Sequence, residues 1–580
     1  MKKEKKCVWL IVSCLMVLSL TVLLLPPVIQ AQEEVFGPGF IRWKEDPGYR
    51  LPPGIIVEKD VPVPMRDGVK LRANVYRPDK PGKFPVIMSF TPYHKDLSGW
   101  TKGWGEPDPE AVKVWESACP GEPKGWGTYS YRVSEETSFE AADVGFWVPY
   151  DYAVILVDNR GYHKSEGQRL GYRAGEDQYD GIEWAAKQEW CDGNIGMSGV
   201  SALGICQWYA AQLHPPHLKA IVPWEARTHL PTPYFGGIPE YGFYGSIAIL
   251  AKTPLNPALG QSIPKKRPPQ RLVFENIQIP ALVCATWGDQ EVHTRGTIWA
   301  YQKISSEYKW LYTHGRQKWH VYYSPESKAM QKQFFDCFLK GMDSTIMHMP
   351  RVRLEVRETI DKYSVRYEAG WPIPRTRYKE LYLDAVSGTL NFDEVSQQGK
   401  VSYNSADGRA IFNIKFNQDT ELTGHMKLKL WVSPEEADDM DLFIALRKFD
   451  AHGNEVKFHS CHTVNGESFP VALGWLRLSN RELDEKKSTP WQPILKFGAP
   501  QKVEPGQIVP CEVEIYPSST LFRAGETLRL VISGKYEGET TRFKYKDLNK
   551  GKHSIYAGGE YGSYLLIPVI PPRGSRLQLP

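Results

Sequence analysis

Residues 194–204 read Asn-Ile-Gly-Met-Ser-Gly-Val-Ser-Ala-Leu-Gly, and an amphipathic run over 205–213 follows, stopped by Pro215. The pattern is strand, tight turn, helix. A serine in such a turn stands clear of the backbone at the C-terminal edge of a sheet, and the amide end of the helix behind it favours developing negative charge. Ser201 holds that place, between Gly199 and Gly204; the strict Gly-x-Ser-x-Gly spacing is broken because Leu203 stands where the second glycine would be. Without chemistry, Ser201 would simply cap the helix. Ser198 is the competing serine, but its position inside the strand turns it into the sheet packing.

A neutral hydroxyl is a weak nucleophile and needs a base, which in turn needs a carboxylate to hold its tautomer. In a fold of this kind the chain order is serine, acid, histidine. Asp289 follows the apolar run 280–286 within Thr286-Trp287-Gly288-Asp289, and Glu291 is the near alternative. His314 closes the run 309–313 and is favoured as base over His320 and His293 because it stands just past a strand. A tetrahedral intermediate also needs donors for its oxyanion. Ala202 offers the backbone N–H after the nucleophile, and the strand 85–90 runs into Thr91-Pro92-Tyr93, where the Tyr93 hydroxyl is a candidate.

Positioning these groups requires an α/β framework. Runs at 85–90, 153–157, 194–199, 220–223, 280–286 and 309–313 read as strands, and 178–188 places Tyr179, Ile182 and Ala186 on one helical face. A further helix over 328–339 is closed by Gly341. The stretch 225–271, rich in Pro, Gly and Tyr, lacks a clear strand and sits where a cap over the site is inserted. Beyond 350 the helical period fades: Met426, Leu428, Leu430 and Val432 alternate with Lys427 and Lys429, as half-buried strands do. With 580 residues the chain exceeds a single core. The expected organisation is an α/β-hydrolase domain over 50–345, with a cap at 225–271, and a β-sandwich or jelly roll over 350–575.

Lys2, Lys3, Lys5 and Lys6 precede an apolar run over 7–25, with a cleavage point after Ala31, so residues 1–31 read as an export signal or an N-terminal anchor. Removing them takes away four Lys and one Glu and brings the formal charge from +4 to +1, which leaves no nucleic-acid footprint. The seven remaining cysteines are irregularly spaced and indicate neither a disulfide framework nor a zinc site. Cys206 and Cys284 fall in apolar runs and read as buried thiols. Asp158 with Arg160 reads as a structural ion pair, and Asp438, Asp439 and Asp441 as a turn rather than a calcium loop. No phosphate-binding glycine motif is present, so no cofactor is expected.

The string Gly196-Met197-Ser198-Gly199-Val200-Ser201, continued by Leu203-Gly204 and Gln207-Trp208, with Pro92-Tyr93 upstream, resembles the cocaine esterase and Xaa-Pro dipeptidyl-peptidase (CocE/NonD) family, which includes α-amino-acid ester hydrolases. The resemblance extends to Val157 through Gly161, Ser165 to Gly167, Ile182 to Trp184 with Trp190, Trp431 to Pro434, and Asp438 to Asp441. It implies a hydrolase core, a helical cap and a galactose-binding-like jelly roll, with Ser201 as nucleophile, Asp289 as acid, His314 as base, and Tyr93 joining a backbone N–H in the oxyanion hole. Two departures bear on pocket shape. Ala202 replaces a usually aromatic residue, and Leu311-Tyr312-Thr313 replaces a Pro-Trp that often precedes the histidine.

The expected activity is that of an exported serine hydrolase forming an acyl-Ser201 intermediate on small carboxylic esters or Xaa-Pro peptide bonds. An α-amino-acid ester hydrolase or acyltransferase is an alternative within the class. A catalytically inactive, exported carbohydrate-binding protein is the alternative outside it.

Overall fold

The structure is a computed structural model and describes residues 49–96, 133–168, 175–228, 235–243, 272–460, 468–538 and 543–572. The expected export signal, and most of the expected cap, lie outside the described residues. No helix among the described residues is long and apolar enough to cross a membrane.

Nine strands make the sheet of the N-terminal half: β1 (Ile55–Pro64), β2 (Lys70–Pro78), β3 (Phe84–Thr91), β4 (Ala153–Asp158), β5 (Cys191–Val200), β6 (Leu218–Trp224), β7 (Ala281–Thr286), β8 (Lys309–His314) and β9 (Val352–Arg357). Pairing gives the order β1-β2-β4-β3-β5-β6-β7-β8-β9; β1–β2 and β2–β4 are antiparallel, and every later neighbour is parallel. β3, β4 and β7 are buried along their whole length. That is why they read as continuous apolar runs instead of alternating: a parallel sheet is covered on both faces. β1 and β2 escape that pattern because charged residues interrupt them.

One face of the sheet packs Met88, Ile155, Met197 and Val283 against Ile205 and Trp208 of α2 (Ala202–Ala211), which is preceded by α1 (Gly175–Ala186). Every residue of α2 is buried. The other face packs Ile87, Val154, Val222 and Leu282 against Phe334 and Phe335 of a long helix, Pro325–Lys340. That helix is well punctuated. Ser324 accepts a hydrogen bond from the Ser327 N–H, Pro325 opens the first turn, and Gly341 closes the last in a left-handed conformation.

The C-terminal half is a β-rich domain with its own core, including Leu428, Leu430, Leu442, Val513 and Leu530. Its longest ladder pairs Thr420–Pro434 with Val509–Phe522 antiparallel. The domain adjoins the first sheet at β9, which pairs with Tyr363–Glu368 and, through Arg357, with Thr520. Asp441 is paired with Arg477, and the Asp439 carboxylate accepts the Met440 and Ser479 N–H groups. Arg160 is an ion-pair residue but not with Asp158: it binds Asp177 and Asp67, and Asp158 accepts the Lys95 N–H. Cys206 and Cys284 are buried and unpaired.

Candidate active site

The parallel strands all point their C-terminal ends to one edge, so the segments following β3, β5, β6, β7 and β8 emerge together there. Tyr93 follows β3, Ser201 follows β5, Glu225 follows β6, Asp289 follows β7, and His314 ends β8.

Ser201 sits at φ 52°, ψ −113°, a conformation that L residues rarely adopt. Its N–H donates to the Trp224 carbonyl at 2.9 Å, and its own carbonyl accepts the Ile205 N–H at 2.8 Å. The strained turn is thereby locked between β6 and α2. Gly199 is at φ 152°, and a Cβ there would lie 2.6 Å from that of Leu203; one on Gly204 would lie 2.9 Å from that of Ala226. The second glycine is needed one position later than the usual spacing, which explains why Leu203 is tolerated.

The Ser201 Oγ lies 3.0 Å from Nε2 of His293. The Nδ1 of the same ring makes a short hydrogen bond to Asp289 Oδ2. A carboxylate acceptor fixes the proton on Nδ1 and leaves the Nε2 lone pair free for the serine hydroxyl. The local cause is one tight turn. The Asp289 carbonyl accepts the N–H groups of His293 and Thr294 at 2.8 and 3.0 Å, at the start of α3 (Thr294–Lys303), so carboxylate and imidazole lie side by side.

The structure does not bring His314 to Ser201, and this corrects the expectation drawn from position after a strand. His314 is fully buried, with Nε2 3.1 Å from Glu225 Oε1 and Nδ1 3.1 Å from the Arg316 carbonyl. Burial pushes its pKa down to about 3 and holds the Glu225 carboxyl well above its ordinary range. A neutral ring that donates from Nδ1 to a carbonyl must accept at Nε2, and a protonated Glu225 supplies that hydrogen. Both ring nitrogens of His314 are thereby committed. His320 lies half-buried on α4 (Lys318–Tyr322).

Other candidates fall as follows. Ser198 is buried in β5, with Oγ 2.8 Å from the Tyr322 hydroxyl. Glu291 accepts a short hydrogen bond from the Tyr536 hydroxyl of the β-rich domain, and burial pushes its carboxyl up to about 8. Tyr93 is partly buried in the turn after β3, with its ring edge-on to Phe139 at 5.2 Å. Ala202 opens α2, where the N–H groups of the first turn lack intrahelical partners.

Residues that the sequence did not single out also gather here. Lys318, the first residue of α4, is 2% exposed, with Nζ 3.2 Å from Asp289 Oδ2 and 3.4 Å from His293 Nδ1. Glu140 is buried at φ 64°, accepts the Trp319 indole N–H, and is pushed up to about 8 by burial. The donor atoms of Glu225, Asp289 and His293 lie within 4.8 Å of one another, close enough to hold a cation, and the Lys318 ammonium already stands against Asp289.

The loop bearing Asp289 and His293 leans on the β-rich domain. The Leu473 N–H donates to Gln290 Oε1 at 2.6 Å, Arg295 pairs with Glu514 at 2.7 Å, and a Cβ on Gly288 would meet the His459 carbonyl at 2.4 Å.

Residues 67–254 match the family model of the X-Pro dipeptidyl-peptidases (S15 family), and residues 344–566 match that of the X-Pro dipeptidyl-peptidase C-terminal non-catalytic domain. A solved CocE/NonD family hydrolase from Staphylococcus aureus is 39% identical with a TM-score of 0.78, over 89% of this chain and 94% of its own. The cocaine esterase of Rhodococcus sp. (strain MB1 Bresler) is 25% identical over 89% of this chain and 98% of its length. An α-amino acid ester hydrolase, 16% identical with a TM-score of 0.61 over 94% of this chain and 100% of its own, shares the fold. A strained serine at a sheet edge and relatives that cover 89% of the chain lead to the same conclusion: the protein belongs to the CocE/NonD family and is a serine hydrolase.

Proposed function

We propose that Ser201, His293 and Asp289 are the catalytic triad and that the protein hydrolyses small carboxylic esters, with Xaa-Pro peptide bonds as the second substrate class. The observation that carries this reading is the 3.0 Å contact between the Ser201 hydroxyl and Nε2 of a histidine whose other nitrogen faces a buried carboxylate. His293 takes the hydroxyl proton as Oγ attacks the carbonyl carbon. The tetrahedral oxyanion is met by the Ala202 N–H and the Tyr93 hydroxyl. Collapse breaks the bond to the leaving alcohol or amine, which receives the proton from His293, and water then releases the acid by the same steps in reverse.

Esters are preferred over amides because amides demand firm anchoring of the peptide amine. Among the described residues, the two further carboxyl groups of the cluster, Glu225 and Glu140, are buried, and that burial pushes both upward, away from the charged form an amine would need. The S15 match and the likeness to cocaine esterase support both substrate classes. In this reading residues 50–345, together with β9 (Val352–Arg357) of the same sheet, form the catalytic unit, 225–271 its cap, and the remainder of 350–575 a jelly roll; residues 1–31 direct export.

A fluorophosphonate probe tests the assignment. It should label the wild type, and labelling should vanish in Ser201→Ala. Label persisting in that variant overturns the triad and favours another serine.

A further inference from the structure

We propose that Lys318 is a positioning residue of the site: its buried ammonium, braced between the Asp289 carboxylate and the His293 ring, holds the acid ionised and sets how readily the imidazole takes a proton. This rests on the triad reading above. The loop after β8, which was expected to deliver a histidine to Asp289, delivers a lysine instead.

A lysine at 2% exposure is rare, because removing an ammonium from water is costly unless a counter-charge meets it. Here the counter-charge is Asp289, 3.2 Å away, and the ring nitrogen that Asp289 holds lies 3.4 Å away. Among the described residues, the groups facing Lys318 come from four segments. Asp289 and His293 belong to the turn after β7, Glu225 follows β6, Glu140 belongs to the segment before β4, and the Trp319 ring stands 5.2 Å from the ammonium. Glu140 and Glu225 each keep one buried oxygen without a hydrogen-bond partner, which suits a neutral carboxyl better than a carboxylate. Burial pushes both upward, Glu140 to about 8. Near neutral pH the Lys318 charge is therefore matched by Asp289.

Two effects then act in one direction. Without the cation, a fully buried Asp289 would keep its charge less easily and protonate at higher pH, releasing the Nδ1 proton that fixes the tautomer. Without the cation, the ring would also be easier to protonate, so less of the free base would remain on the acid side. Both move the acid limb of the rate profile to higher pH.

The test is the pH profile of kcat/KM on p-nitrophenyl acetate between about pH 5 and 9, for the wild type, Lys318→Met and Lys318→Gln, with Tm recorded for each. The expected result is an acid limb displaced upward by about one pH unit or more in the neutral variants, a tenfold loss on that limb. KM should change less than kcat. Lys318→Arg, which keeps the charge, should restore the limb. If the methionine variant fails to accumulate, the glutamine variant, which keeps an N–H donor for Asp289, is read alone. A folded neutral variant whose limb stays within about 0.3 unit of the wild type overturns the proposal. Ser201→Ala is run in parallel: ester turnover surviving there counts against the triad, whereas an unmoved limb with Ser201→Ala inactive counts against Lys318 alone.

Discussion

The segments that leave β7 and β8 begin side by side, with Thr286 paired to His314 at the sheet edge, yet they do opposite things with a histidine. After β7 the chain folds into one turn around the Asp289 carbonyl, and His293 emerges against the Asp289 carboxylate with Nε2 turned to the Ser201 hydroxyl. After β8 the ring of His314 is taken up at both nitrogens, by Glu225 and by the Arg316 carbonyl, before the chain reaches Lys318. A ring at a strand end is thus no base unless one nitrogen is left uncommitted. What separates the two loops is where each ring's hydrogen bonds go.

Exchanging the functions of the two rings is the strongest way to break that comparison. His293→Ala should lower kcat/KM by about 10⁴-fold or more, the scale on which removal of a triad base acts. A loss under a hundredfold would return the role of base to another group. His314→Gln should leave ester turnover within about tenfold of the wild type, while lowering the free energy of unfolding by about 1–3 kcal/mol as the Glu225 hydrogen loses its acceptor. If the activity of folded His314→Gln fell as far as that of His293→Ala, the distinction between the loops would collapse.

The smallest effect concerns the acid that the turn after β7 does not use. Glu291 is raised from 4.5 to about 8 in the folded protein by burial, so the unfolded chain ionises it first. Its contribution is present in full below about pH 4.5 and is lost as pH rises through 8. Glu291→Gln cannot ionise and removes that dependence. Unfolding free energies from urea titrations between about pH 5 and 9 should favour the variant increasingly as pH rises, by up to a few kcal/mol. Parallel curves for variant and wild type would show that Glu291 is ionised in the fold.

Much of this site was legible in sequence, for local reasons. The strand–turn–helix around Ser201 is written in adjacent residues, and Asp289 follows an apolar run. The four-residue step from Asp289 to His293 at a helix start was the available signal for the base. His314 outweighs it in sequence because it satisfies a rule about strand ends, and the resemblance points to the same position. Glu140, Glu225 and Lys318 were not legible as a group, since their neighbourhood is created by tertiary packing across segments far apart in the chain. The partners of Arg160 were missed for the same reason: Asp67 and Asp177 lie far from it in sequence, whereas Asp158 was merely close.

Gln290, caught by the Leu473 amide, and Gly288, pressed against the His459 carbonyl, flank the acid on either side. On the proposed triad, the β-rich half is therefore scaffolding for the reaction itself: trimming the chain behind its first sheet would strip two walls from the turn that aligns proton donor and acceptor. Heat or denaturant that loosens the distal half should silence turnover before the nucleophile's own surroundings melt, and a recombinant swap of that half between relatives must carry those two contacts across intact.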